Sequence, residues 1–161
     1  MQELQTPSRS EVLSAFTKAD DKGKQLLESL FGKIVPENIT DKVKSFEDAC
    51  TVLGIDPADV LHSSHSQFLD KHISSINAYC KLIVITSALN EGWIPDWDDD
   101  SEEKHYPWFF MQGSGFRLYD VYYGYHDSNV GSRLCFRDSS LAEYAAKQFN
   151  DIYKEFMLIQ N

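Results

Sequence analysis

LDKHISSINAYCKLIVITSALNEG, residues 69–92, decides the fold. No Gly or Pro interrupts it from Leu69 to Asn90, and Gly92 stands where a helix takes its left-handed cap. Leu82 to Thr86 alone has the β-branched character of a strand, but the unbroken length exceeds that of ordinary strands, so the spacing predicts one long helix. Its second half is apolar on nearly every side, which places it at the centre of a domain with neighbours on several faces.

Upstream, Val12, Phe16 and Ala19 recur at helical spacing and Leu27 and Leu30 continue the phase, predicting a helix from about Glu11 to Phe31 with Ser10 as N-cap. Gly23 lies on that stripe and marks either a break after Asp20 and Asp21 or a close helix crossing. Residues 1–9 are polar and read as flexible. Ser45 precedes the stripe Phe46, Ala49, Cys50, Leu53, closed by Gly54, and Asp56-Pro57 opens another turn or two.

Downstream, residues 91–107 read as a long acidic loop, exposed and irregular. Trp108 to Gln112 and Phe116 to Tyr125 follow as strands joined at Gly113-Ser114-Gly115, and Ser132 to Arg137 as a third. Ser140 and Glu143 have the spacing of a capping box opening a last amphipathic helix with the stripe Leu141, Ala145, Phe149, Ile152, Phe156, Ile159. The expectation is a single α+β domain over residues 1–161: N-terminal helices, a central buried helix, an antiparallel sheet of about three strands and a C-terminal amphipathic helix.

Composition narrows the function. With 42% apolar and 25% charged residues the 161-residue chain can bury a sufficient core. A net charge of −10 repels a phosphate backbone, which makes duplex DNA a poor partner. The longest apolar run, Tyr79 to Leu89, is too short for a membrane span, and Met1 to Ser10 lack a secretory core; the expectation is a cytoplasmic protein without membrane contact. Cys50, Cys80 and Cys135 are widely spaced among apolar neighbours and read as reduced core thiols.

Three constellations carry possible chemistry. Asp96, Asp98 and Asp100 alternate as if to reach one hard cation, yet Ser101 and Pro107 stand where a calcium loop needs Gly and Glu. His62, His65, Asp70 and His72 are metal-ligand types with no recognised spacing. Tyr119, Tyr122, Tyr123 and Tyr125 accompany Arg117, Arg133 and Arg137 in the least acidic third of the chain, a pattern that can stack unpaired bases but equally suits half-buried strands with soluble edges. Gln112 to Gly115 imitates part of a nucleophile elbow but sits between strands, and neither H-E-x-x-H nor C-x-x-C occurs, so no motif requires a cofactor.

The words ALNEGWIPDWDDDSEEKHYPWF at 88–109, SRLCFR at 132–137, LAEYAAKQFNDIYKEF at 141–156 and SFEDACTVLGI at 45–55 resemble a family of small uncharacterised proteins from Bacteroidetes genomes, prophages and phages, including crAss-like phages. Asn90, Trp93, Pro95, Trp97, Lys104, Tyr106, Pro107 and Trp108 fall on that pattern, and the acidic cluster on its more variable part. The resemblance implies a phage or mobile-element setting in a bacterial cytoplasm and brings no activity, cofactor or catalytic residue.

The expected function is therefore that of a non-enzymatic accessory or interaction protein. Its partner is expected to be a protein, met by Trp93, Trp97, Lys104, Tyr106 and Trp108, because indoles on an exposed loop, at least one of them partly exposed, supply large rigid contact areas; the competing expectation is that Trp93 folds back onto the central helix and that Trp97 and Trp108 clamp the loop to the domain. Single-stranded nucleic acid on Arg117, Tyr119, Tyr123, Arg133 and Arg137 is the first alternative, and a metal-dependent enzyme built on Asp96, Asp98 and Asp100 the second. Monomer and symmetric dimer are equally compatible with these readings.

Overall fold

The computed structural model describes residues 12, 15–16, 18–32, 38–63, 66–111 and 115–159. They divide into two units, Met1–Asn38 and Ile39–Asn161. In the first, helix α1 (Asp21–Phe31) starts at Asp20, whose carboxylate accepts from the Gly23 amide at 2.8 Å. The non-helical residues are Ala19 and Asp20, so the interruption comes before Asp21 rather than after it. A Cβ on Gly23 would lie 2.9 Å from the Ala19 Cβ, so the cap itself needs the glycine. Gln112, Gly113 and Ser114, the centre of the anticipated hairpin turn, His65, Ser10 and the whole of residues 1–9 lie outside the described residues.

The second unit is assembled around α5 (Gln67–Leu89), the long helix that residues 69–92 predict. Leu82, Ile85, Ala88 and Leu89 are completely buried, each large aliphatic contributing roughly 1.5–3 kcal/mol. The helix ends as its sequence requires, with Glu91 and Gly92 at positive φ. Short helices α2 (Ile39–Lys42), α3 (Phe46–Leu53) and α4 (Pro57–Val60) pack on one flank of it. Ser45 and Asp48 make both halves of a capping box for α3, which Gly54 closes at φ 68. Ser45→Ala removes one half and is expected to cost about 1 kcal/mol, read as a lower urea midpoint with an unchanged slope.

Two C-terminal helices, α6 (Ser139–Gln148) and α7 (Asn150–Met157), stand where one was expected. The chain leaves helical geometry at Phe149 (φ −112, ψ 27), whose ring is buried edge-on to Tyr144. The stripe holds through Phe156, stacked 5.4 Å from Tyr79 of α5, but Ile159 lies beyond the helix and is 85% exposed. The cap of α6 is Asp138, two residues before the anticipated Ser140. Its carboxylate accepts from both the Leu141 amide and the Ser140 hydroxyl, so Ser140 serves the cap rather than forming it.

The sheet has two strands among the described residues, not three: β1 (Lys104–Phe110) and β2 (Arg117–Gly124), antiparallel. Strand β1 starts at Lys104, so the irregular stretch before it is shorter than residues 91–107. The expected third strand, Ser132 to Arg137, contributes one bridge, in which His105 and Phe136 exchange backbone hydrogen bonds of 2.9 and 2.7 Å. Odd-numbered residues of β1 turn their backbone toward this segment, and the next to do so is Pro107, which has no N–H to continue the ladder. In the other direction Asp138 leaves the pairing to cap α6. The buried Asn90 side chain holds the segment instead, donating to the Cys135 carbonyl (2.9 Å) and accepting from the Arg137 amide (3.2 Å).

Candidate functional site

The stretch after α5 is tied together by buried polar groups rather than by apolar packing alone. Lys104 opens β1 with no solvent exposure, and its ammonium donates to the carbonyls of Asp99 (3.1 Å) and Glu102 (2.8 Å). The Glu102 carboxylate lies 3.4 Å from the same nitrogen, and the Trp97 ring lies beneath it at 5.6 Å. Glu102 also accepts from the Trp93 indole (3.0 Å) and the Asp96 amide (2.8 Å). The Trp97 indole donates to Ser132 (2.8 Å). Lys104, Glu102, Trp93 and Trp97 therefore form one fastener that holds the acidic stretch to the domain.

Its remaining carboxylates make turns. Asp96 accepts from the Asp98 amide, and Asp99 from both the amide and the hydroxyl of Ser101, bonds that hold the Asp99 carboxyl below its usual range. Asp96, Asp98 and Asp100 are exposed, and among the described residues no group of three His, Cys, Asp or Glu gathers around a metal position. The cysteines are unpaired, and burial pushes the Cys135 thiol up to about 11, far from a thiolate at neutral pH.

Along the same side of β1 the burial opens out: Lys104 is 0% exposed, Tyr106 8% and Trp108 44%. Trp108 meets Tyr122 from β2 with ring centroids 5.5 Å apart. Phe110, two residues on, is flanked by Tyr119 edge-on at 4.5 Å and by the Arg117 guanidinium at 4.4 Å. Tyr119 reaches it because the pairing slips between Trp108 and Phe109, leaving Tyr119 as the extra residue of a bulge. Tyr119, Tyr122 and Met111 are themselves 54%, 43% and 50% exposed. On the opposite side of the hairpin Phe109 is buried against Phe116 and Tyr153, while Tyr123 stays 51% exposed.

Of the five residues expected to meet a partner, the structure thus assigns Trp93, Trp97 and Lys104 to the fastener, buries Tyr106 and leaves Trp108 open. The nucleic-acid set is divided as well. Arg117 and Tyr119 lie beside Phe110, while Tyr123 points to the other side of β2 against His105 and Tyr125. Arg137 is held by Glu91, Asp138 and the Asn90 carbonyl, and Arg133 is exposed on the segment after β2. Phe110, Met111 and Asp120, opposite Trp108, belong to the open face without having been singled out. A period of two counted from Trp108 reaches Phe110, but the partners on β2 depend on the bulge, which no residue pattern announces.

Fold and site together define an α+β protein with a small hairpin that presents aromatic side chains to solvent beside a fastened acidic loop. No protein-family model, curated protein or solved structure matches this chain. No helix among the described residues is long and apolar enough to cross a membrane.

Proposed function

We propose that the chain is a non-enzymatic interaction protein that binds a partner protein on the open side of β1 and β2, centred on Trp108 and Tyr122, in a phage or mobile-element setting. The observation that carries this reading is the exposure of Trp108, 44%, within a patch that also exposes Tyr119, Tyr122 and Met111. Folding ordinarily uses such side chains in the core, and contiguous exposed aromatics are typical of binding centres. The fastener supports the same reading, because a loop pinned by buried polar contacts keeps the neighbouring face in one shape before binding.

Affinity capture from the cells that express the protein tests it. Trp108→Ala is expected to cost about 1–2 kcal/mol of stability, leaving the protein folded, while reducing partner affinity roughly 30-fold, a hot-spot loss of about 2 kcal/mol. Undiminished recovery by this variant would refute the placement. A second reading, base stacking by single-stranded nucleic acid, is supported by the Arg117–Phe110 stack beside Tyr119. It requires salt-sensitive binding of mixed-sequence oligonucleotides that Arg117→Ala weakens, and fails if no anisotropy change occurs at low salt.

A further inference from the structure

A pocket of about 260 Å³ lies away from the aromatic face, lined by the C-terminal turn of α5, the stretch from Gly92 to Pro95 and the segment after β2. Trp93, Ile94 and Pro95 supply its apolar surface and Ser132 and Arg133 its polar one, with Thr86 also along its lining. Two of these groups are left without partners. The Thr86 hydroxyl, on a residue 2% exposed, has no hydrogen bond among the described residues, although a helical threonine ordinarily donates to the carbonyl one turn back. Arg133 makes no ion pair or hydrogen bond among the described residues, in contrast to Arg137, which Glu91 and Asp138 hold.

We infer that this pocket binds a small organic carboxylate with a flat apolar body. The carboxylate pairs with the Arg133 guanidinium, whose planar donors suit two oxygens at once. The body lies on Trp93 and Pro95. A turn of Thr86 about its Cα–Cβ bond brings the buried hydroxyl toward the pocket, where it gains the partner that the fold denies it. A pocket below the usual range of roughly 300–1,000 Å³ accommodates a single ring rather than a nucleotide or a peptide. A monoanion is favoured over a dianion, because the chain already carries −10.

Titration of isotope-labelled protein with benzoate, followed at the Trp93 indole N–H and the Arg133 amide, tests the assignment. Saturable shifts with a dissociation constant near or below about 1 mM are expected, with benzamide, the neutral isostere, roughly tenfold weaker. Arg133→Gln, at an exposed position, is expected to fold normally and to lose a similar factor. Thr86→Val is expected to melt at or above the parent temperature, since it removes an unpaired buried hydroxyl, and yet to bind benzoate several-fold more weakly. Trp108→Ala leaves this binding unchanged. The inference is overturned if benzoate gives no saturable shift up to about 10 mM, if benzamide binds equally well, or if either pocket variant binds as the parent does.

Discussion

Lys104→Met should lower the melting temperature by about 10 °C, one of the two largest effects expected outside the apolar core. The substitution keeps an unbranched chain, with sulfur in place of the δ-methylene, and removes the ammonium. Two carbonyls, of Asp99 and Glu102, then lose their donor, and the Glu102 carboxylate loses its cation in a place where the lysine itself had no contact with water. Breaking a buried pair on one side costs about 3–5 kcal/mol. The Glu102 side chain keeps 26% exposure and its bonds to Trp93 and Asp96, which sets the expectation at the lower end, about 3 kcal/mol. For a chain of this size that corresponds to the stated shift. A melt followed by circular dichroism and by indole fluorescence measures it, and a change below about 2 °C would mean that the fastener contributes little to folding.

Asn90→Asp is the second large effect, in a change of one atom pair. The amide of Asn90 joins α5 to the segment before α6 by donating to the Cys135 carbonyl, and its oxygen accepts from the Arg137 amide. A carboxylate keeps the second bond, but turns a donor into a charge facing a carbonyl at a site 4% exposed. The expected cost at neutral pH is about 2–4 kcal/mol, read from denaturant unfolding. The sign of the pH dependence separates this cause from a packing defect. Burial raises the introduced carboxyl's folded-state pKa above its unfolded value, so the protonated form is the one favoured by folding. The deficit relative to the parent should therefore shrink as pH falls through that raised pKa and reappear as pH rises. A deficit that is flat between pH 4 and pH 8 would contradict the mechanism.

These two residues also show what the sequence conveys about such a fold. Helix α5 is legible because length, the absence of Gly and Pro and the terminal Gly92 all point the same way. The caps at Ser45 and Asp56 are legible because they are local. The third strand is not, since its failure depends on which residues of β1 turn their backbone toward it, and only that register puts the missing donor of Pro107 in the way. Lys104 misleads for a physical reason. A lysine among tryptophans and carboxylates reads as a surface group, because complete burial of lysine is rare unless paired, and its partners here are backbone carbonyls that no pattern of side chains reveals. Of the indoles expected either to be partly exposed or to clamp the loop, Trp97 clamps it and Trp108 stays 44% exposed, and nothing in the residues between Trp93 and Trp108 assigns those roles in advance.

The central claim is that division of labour: Trp93 and Trp97 hold the acidic loop, and Trp108 faces outward. Quenching of indole fluorescence by succinimide, a bulky neutral molecule, measures it in the isolated protein. Half-buried indoles with hydrogen-bonded N–H groups collide with it less often than an indole that is 44% exposed. The account predicts that Trp108→Phe removes most of the quenchable emission, while Trp93→Phe and Trp97→Phe leave it nearly intact. Quenchable emission that persists in Trp108→Phe and disappears in Trp97→Phe would contradict it.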